Sequence, residues 1–161
     1  MRKWHIVIMV LLIPLVILIG CFLFILALDF FMSKDKVIDS LGRFESEFFV
    51  TGGGFSEYTD YAKYTYDDAD LEGNRYFEKI TPESKKTLVA YISNFKSWVA
   101  MYEENNPENE LAVGYDFDYR AISDNDYLYI DSDFVDVAYE RYDVYFFDAE
   151  TMTLYYFHNN I

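Results

Sequence analysis

Cysteine is nearly missing from this sequence. Cys21 stands alone among 161 residues, so no disulfide can form within the chain. Histidine is almost as scarce, with only His5 and His158, which leaves no histidine cluster for a metal centre. Bases are few. Thirteen lysines and arginines face 28 acids, and a net charge of −15 repels the phosphate backbone of nucleic acids. Proline occurs three times, and neither an internal repeat nor a low-complexity block interrupts the chain. Aromatic residues are abundant instead, at 20% of the sequence, and that content argues against disorder throughout.

Charge is also absent from one long stretch. Residues 6–28, IVIMVLLIPLVILIGCFLFILAL, hold no acid or base. As a helix this run extends about 34 Å at about 1.5 Å per residue, enough to cross a hydrocarbon core of about 30 Å. Backbone amides in lipid need internal partners, so a lone span is helical, and Pro14 and Gly20 are tolerated there. Trp4 at one end, and Phe30 and Phe31 at the other, suit the two interfaces. The apolar core is longer than that of a cleaved signal peptide, and no A-x-A pattern follows it. Leu18-Ile19-Gly20-Cys21 resembles the bacterial lipobox, which implies lipidation of Cys21 as an alternative anchor. Against it, Phe22 to Leu28 stay apolar where mature lipoproteins turn polar. The short leader, its amine and Asp29 favour a cytoplasmic N-terminus with the remainder outside.

Beyond the span, Ser33 caps an expected helix from Lys34. Val37, Ile38, Leu41, Phe44, Phe48 and Phe49 recur at helical spacing until Thr51, before the turn expected at Gly52-Gly53-Gly54. Even spacing of Tyr58, Ala62, Tyr64 and Tyr66 predicts a strand, followed by a polar loop over residues 67–79. A second helix is well marked, with Thr81 as N-cap, Pro82 at N1 and Glu83 in the first turn. Leu88, Tyr91, Ile92, Phe95, Trp98, Val99 and Tyr102 give its apolar stripe, and Asn105-Asn106-Pro107 ends it. Three more strands are expected at Tyr127–Ile130, Tyr142–Phe147 and Thr153–His158, the last two joined as a hairpin through residues 148–152. The fold class that follows is α+β: a transmembrane helix, then a small two-layer domain of two amphipathic helices on an antiparallel sheet of about four strands. Residues 1–5 are the leader, 6–28 the span and 29–161 the extracytoplasmic domain.

From Trp98 onward the chain has only Arg120 and Arg141 against 15 acids, a field that attracts basic proteins and cations. The closely spaced acids Asp116/Asp118, Asp124/Asp126 and Asp131/Asp133 suit calcium by type, yet none fits an EF-hand loop, and acidic turns explain them as well. All 16 tyrosines lie between Tyr58 and Tyr156. Strands such as Tyr127-Leu128-Tyr129 and Tyr155-Tyr156-Phe157 put rings on both sheet faces, which makes Tyr127, Tyr129, Tyr145, Tyr155 and Tyr156 candidate partner contacts. A Ser-His-Asp arrangement around His158 has no nucleophile-elbow motif to support it, and the glycine run at 52–54 lacks the lysine of a phosphate loop. No cofactor is expected. These features describe a single-pass envelope protein that contacts lipid through residues 6–28 and binds a basic protein partner without enzymatic chemistry. An envelope hydrolase or glycan-binding module is the alternative.

Overall fold

The computed structural model describes residues 35–54, 57–132 and 141–161. The leader, the span expected at residues 6–28 and Cys21 lie outside them, and none of the described helices is long and apolar enough to cross a membrane. The chain divides after Asp39 into two units. Of the first, residues 35–39 are described, including one helical turn, α1 (Lys36–Asp39), capped by Asp35, whose Oδ1 accepts from Val37 N at 2.8 Å.

The second unit is α+β. Its strands are β1 (Ser46–Gly53), β2 (Tyr58–Thr65), β3 (Glu78–Lys79), β4 (Tyr127–Ser132), β5 (Arg141–Asp148) and β6 (Thr153–Asn160). They form one antiparallel sheet in the order β1-β2-β6-β5-β4-β3. Between β3 and β4 come α2 (Pro82–Asn105), α3 (Glu110–Gly114) and a 3-10 turn (Tyr119–Ala121).

The expected helix from Lys34 to Thr51 is corrected by this arrangement. Its first turn is α1, but Gly42 adopts φ +97°, a left-handed conformation that ends any helix, and Ser46–Gly53 runs extended as β1. Helical spacing of Phe44, Phe48 and Phe49 was coincidence. An edge strand exposed on both faces shows no alternation to betray it. Gly52 and Gly53 belong to β1 rather than to a loop. With β1 and the two-residue β3, the sheet has six strands among the described residues instead of about four, and a single long amphipathic helix lies on it.

That helix starts as its sequence dictates. Thr81 Oγ1 accepts from Ser84 N at 3.1 Å while Ser84 Oγ accepts from Thr81 N at 2.9 Å, a reciprocal capping box, and Pro82 at N1 has no amide to leave unpaired. Leu88, Ile92, Phe95 and Val99, spaced by four, three and four residues, are its buried stripe. They meet Tyr61 of β2, Phe157 of β6, Tyr142, Val144 and Phe146 of β5 and Leu128 of β4 in one core, closed at its end by Leu111 of α3. Tyr61 sits in the middle, with its ring centroid 5.5 Å from Phe157 and 5.1 Å from Tyr115. Full burial of each such side chain is worth about 1.5–3 kcal/mol.

Candidate functional site

Register assigns every strand residue to a face. Tyr61, Phe157, Val144 and Ile130 are successive partners across β2, β6, β5 and β4, and they look toward α2. Their neighbours form two rows on the other face. One row is Phe49, Ala62, Tyr156, Tyr145 and Tyr129; the next is Thr51, Asp60, His158, Asp143 and Asp131. The sheet thus sets an aromatic row beside a polar one.

Contacts follow the rows. Ring centroids are 5.2 Å apart for Tyr76 and Tyr129, 5.8 Å for Tyr129 and Tyr145, and 4.9 Å for Tyr145 and Tyr156. Tyr156 then donates its hydroxyl to Asp143 Oδ1 at 2.6 Å, and His158 Nδ1 lies 2.7 Å from the same oxygen. Tyr58 covers the imidazole at 5.1 Å. Asp143 therefore anchors two rings with one oxygen.

The His158–Asp143 pair is two members of a catalytic triad without the third. Nε2 of His158 is buried and has no hydrogen-bond partner, so no hydroxyl stands ready for it to activate and no solvent reaches it. Among the described residues, no three His, Cys, Asp or Glu side chains converge in a way that could hold a metal ion.

Asp60 lies in the same row. Burial pushes its carboxyl above the usual aspartate value, Asp143 adds to the rise, and Thr51 and the His158 imidazole oppose it. A folded-state value above the unfolded one means that the native protein holds this proton more tightly. Stability contributed by the neutral acid is therefore lost as pH rises from about 3.8, the unfolded value, through the raised one. Asp60→Asn is expected to stabilise the full-length chain at pH 7, by less than about 1 kcal/mol because the group is partly solvated, and to make no difference below pH 3.5. Urea unfolding in detergent micelles at the two pH values measures it.

Four of the five tyrosines singled out by their alternation, Tyr127, Tyr129, Tyr145 and Tyr156, share this second face. Tyr155 does not. It points toward α2, with its ring 4.9 Å from Phe117 and 5.9 Å from Phe146, because neighbours on a strand face opposite ways. Nor are the four the most exposed rings: Tyr145 is only 5% exposed, and the others are partly buried.

The paired acids also have structural employment. Asp116 accepts from Tyr61 Oη at 2.8 Å and from Lys63 Nζ at 2.6 Å. Burial works against its charge, but these donors together hold its carboxyl below the usual range. Asp118 caps the 3-10 turn and takes the Arg120 guanidinium two-pronged, at 2.9 and 2.7 Å, which lowers its pKa to about 2. Asp126 is buried in the turn before β4, accepting from Ser123 N and Ala149 N. Asp131 lies in β4 opposite Asp143, and Asp133 lies outside the described residues.

No family model matches the chain, and no curated protein or solved structure does either.

What the sequence did not reveal is the sheet edge. Among the described residues β1 pairs on one side only, with β2, and its register runs unbroken from Ser46↔Thr65 to Gly53↔Tyr58. Phe49 is 51% exposed and Phe48 39%. The α2–α3 layer reaches this strand from the core side: a Cβ on Gly114 would meet Val50 Cγ1 at 2.9 Å, and one on Gly52 would meet Leu111 Cδ2 at 2.9 Å. Glycine at both positions lets the layer close on Val50 and the tip of Phe48, while Phe49 on the other face stays open to solvent.

Proposed function

We propose that this chain is a single-pass, membrane-anchored protein whose extracytoplasmic α+β domain binds another protein and performs no catalysis. The single observation that carries the binding is Phe49, 51% exposed on a strand that pairs on one side only among the described residues, in a molecule with a net charge of −15. An exposed aromatic ring beside outward backbone groups is a surface on which an extended chain can dock. The negative field prefers a basic partner and speeds its approach. The uncharged run at residues 6–28 supplies the anchor in this reading, and the short leader, its amine and Asp29 favour an external domain.

The hydrolase alternative draws little support from the site. The histidine–carboxylate pair among the described residues has its free nitrogen buried, and Asp116, Asp118 and Asp126 are engaged in capping and pairing. Photo-crosslinking in intact cells, from probes distributed over the domain, is expected to give a discrete adduct with a second protein. Absence of an adduct from every position overturns the reading.

A further inference from the structure

The two edges of the sheet are built differently. At the far edge β3 is only two residues long, and it carries Lys79, whose Nζ lies 5.8 Å from the Tyr127 ring centroid; Arg75 sits 4.6 Å from the Tyr76 centroid beside it. A short strand and flanking cations are the usual means by which a sheet edge is kept from pairing with other chains. β1 is longer and is flanked by one cation, Arg43. Its eight residues, SEFFVTGG, contain no lysine, no arginine and no proline, and its register with β2 is unbroken from Ser46 to Gly53.

Its hydrogen-bonding groups are placed for a further strand. Gly54 N donates to Glu57 O at 2.8 Å, which fixes the alternation of the hairpin. Ser46, Phe48, Val50 and Gly52 direct their amides and carbonyls to β2. Glu47, Phe49, Thr51 and Gly53 direct theirs away from the sheet, four consecutive docking points spaced for an extended chain.

Charge selects what can dock. Glu47 stands on the strand itself, and Glu45 just before it faces Asp67 closely enough that hydrogen bonding and repulsion from Asp67 raise its carboxyl above the usual range. Glu45, Asp67 and Asp68 line an open hollow with Arg43 and Phe44 at the Ser46 end of the edge. On the strand's core side, Lys63 is already held by Asp116. A second copy of this chain would bring another −15 charges to the contact, which disfavours self-pairing.

Resting on the protein-binding reading above, we propose that β1 receives an extended, basic segment of the partner as a seventh strand, antiparallel or parallel, through the outward backbone groups of Glu47, Phe49, Thr51 and Gly53. Main-chain bonds supply the pairing, an apolar side chain of the segment covers Phe49, and its lysines or arginines meet Glu45, Glu47 and Asp67. Glu47 and Phe49 share one face of β1, so specificity comes from a cation and an apolar residue two positions apart in the segment rather than from a deep pocket.

The test uses the full-length chain in detergent micelles and an eight-residue peptide, TKTVTKTV, blocked at both ends, which presents lysine and valine in turn on one face. Its saturating addition is expected to slow amide hydrogen exchange at Phe49 and Thr51 at least tenfold. Phe48 and Val50, already bonded to β2, should change little. Phe49→Lys should weaken peptide binding at least fivefold, and the peptide with glutamate for lysine, or with every amide N-methylated, should not bind. Equal binding of the methylated or the glutamate peptide overturns the proposal, as does unchanged exchange at Phe49 and Thr51. Protection of these amides without peptide, growing with protein concentration, overturns it in favour of a second copy. If the peptide fails while crosslinking in cells still captures a partner from another surface, the edge is wrong and the protein-binding reading survives.

Discussion

Replacing Phe95 by alanine is expected to cost the α+β domain about 3–5 kcal/mol. Phe95 is fully buried at the centre of α2, its ring 5.3 Å from Phe157, 5.6 Å from Tyr115 and 6.4 Å from Tyr61. It is therefore the point at which helix, sheet and the segment after α3 meet. Truncation removes the transfer free energy of the ring and leaves a cavity whose walls are themselves aromatic. Such walls are stiff and relax little into the space, which places the cost toward the upper part of the range. Since domains of this size are stable by about 5–15 kcal/mol, the variant should unfold at a much lower urea concentration with an unchanged slope. Phe95→Leu, which keeps most of the volume, should lose less than half as much. A loss under about 1 kcal/mol for the alanine variant would mean that α2 does not pack on the sheet as described.

The second large effect is expected at Asp126, a carboxylate only 1% exposed. Its Oδ2 accepts from Ser123 N at 2.6 Å and its Oδ1 from Ala149 N at 3.1 Å, so one side chain closes its own turn and ties it to the β5–β6 hairpin turn. Its backbone carbonyl accepts from Ile80 N at 3.0 Å, adding the end of β3 to the same junction. Asp126→Ala leaves two amides without their acceptor and is expected to cost about 2–4 kcal/mol. Asp126→Asn should recover little of this, because its amide group can accept from one of the two donors but presents a donor to the other. Hydrogen exchange supplies the local signature: the amides of Ser123 and Ala149 should both lose protection, although 26 residues of chain separate them. Loss of protection at Ser123 alone would show that the tie to the hairpin is not formed.

The parts of this fold that could be read from sequence are those with two independent signals. For α2 the stripe Leu88, Ile92, Phe95, Val99 coincided with a Thr81–Pro82 start and an Asn106–Pro107 stop, and the structure has that helix at Pro82–Asn105. Strands β4, β5 and β6 are marked by aromatic and β-branched residues between turn signals, and each was found near its observed bounds. β1 failed this test because neither of its faces is fully buried, so its letters carry no period of two. Its aromatic spacing imitated a helix until Gly42, at φ +97°, is taken into account. β3 is too short to leave any pattern.

The site divides in the same way. Alternation correctly separates Tyr156 from Phe157, but it also separates Tyr156 from Tyr155, and placing both on one contact surface ignored that parity. The acids were legible as a charge and illegible as partners. Asp116 finds Tyr61 across 55 positions, and Asp143 finds His158 across 15, pairings that only the sheet register determines. Which of the aromatic side chains remain exposed is likewise a property of the assembled layers. Phe49 stays open because β1 is last in the sheet among the described residues, whereas Phe48, on the other face, is partly covered by Gly114 and Lys63.

The β1 edge as the partner's docking site is tested most directly by placing a photoactivatable residue at position 49 or at position 119 of the full-length chain in intact cells. Phe49 and Tyr119 are equally exposed, at 51%, so accessibility alone cannot favour either. An adduct from position 49 whose crosslinked peptide is extended and rich in lysine or arginine, with none from position 119, is the expected result. An adduct from position 119 alone, or equal adducts from both, contradicts it.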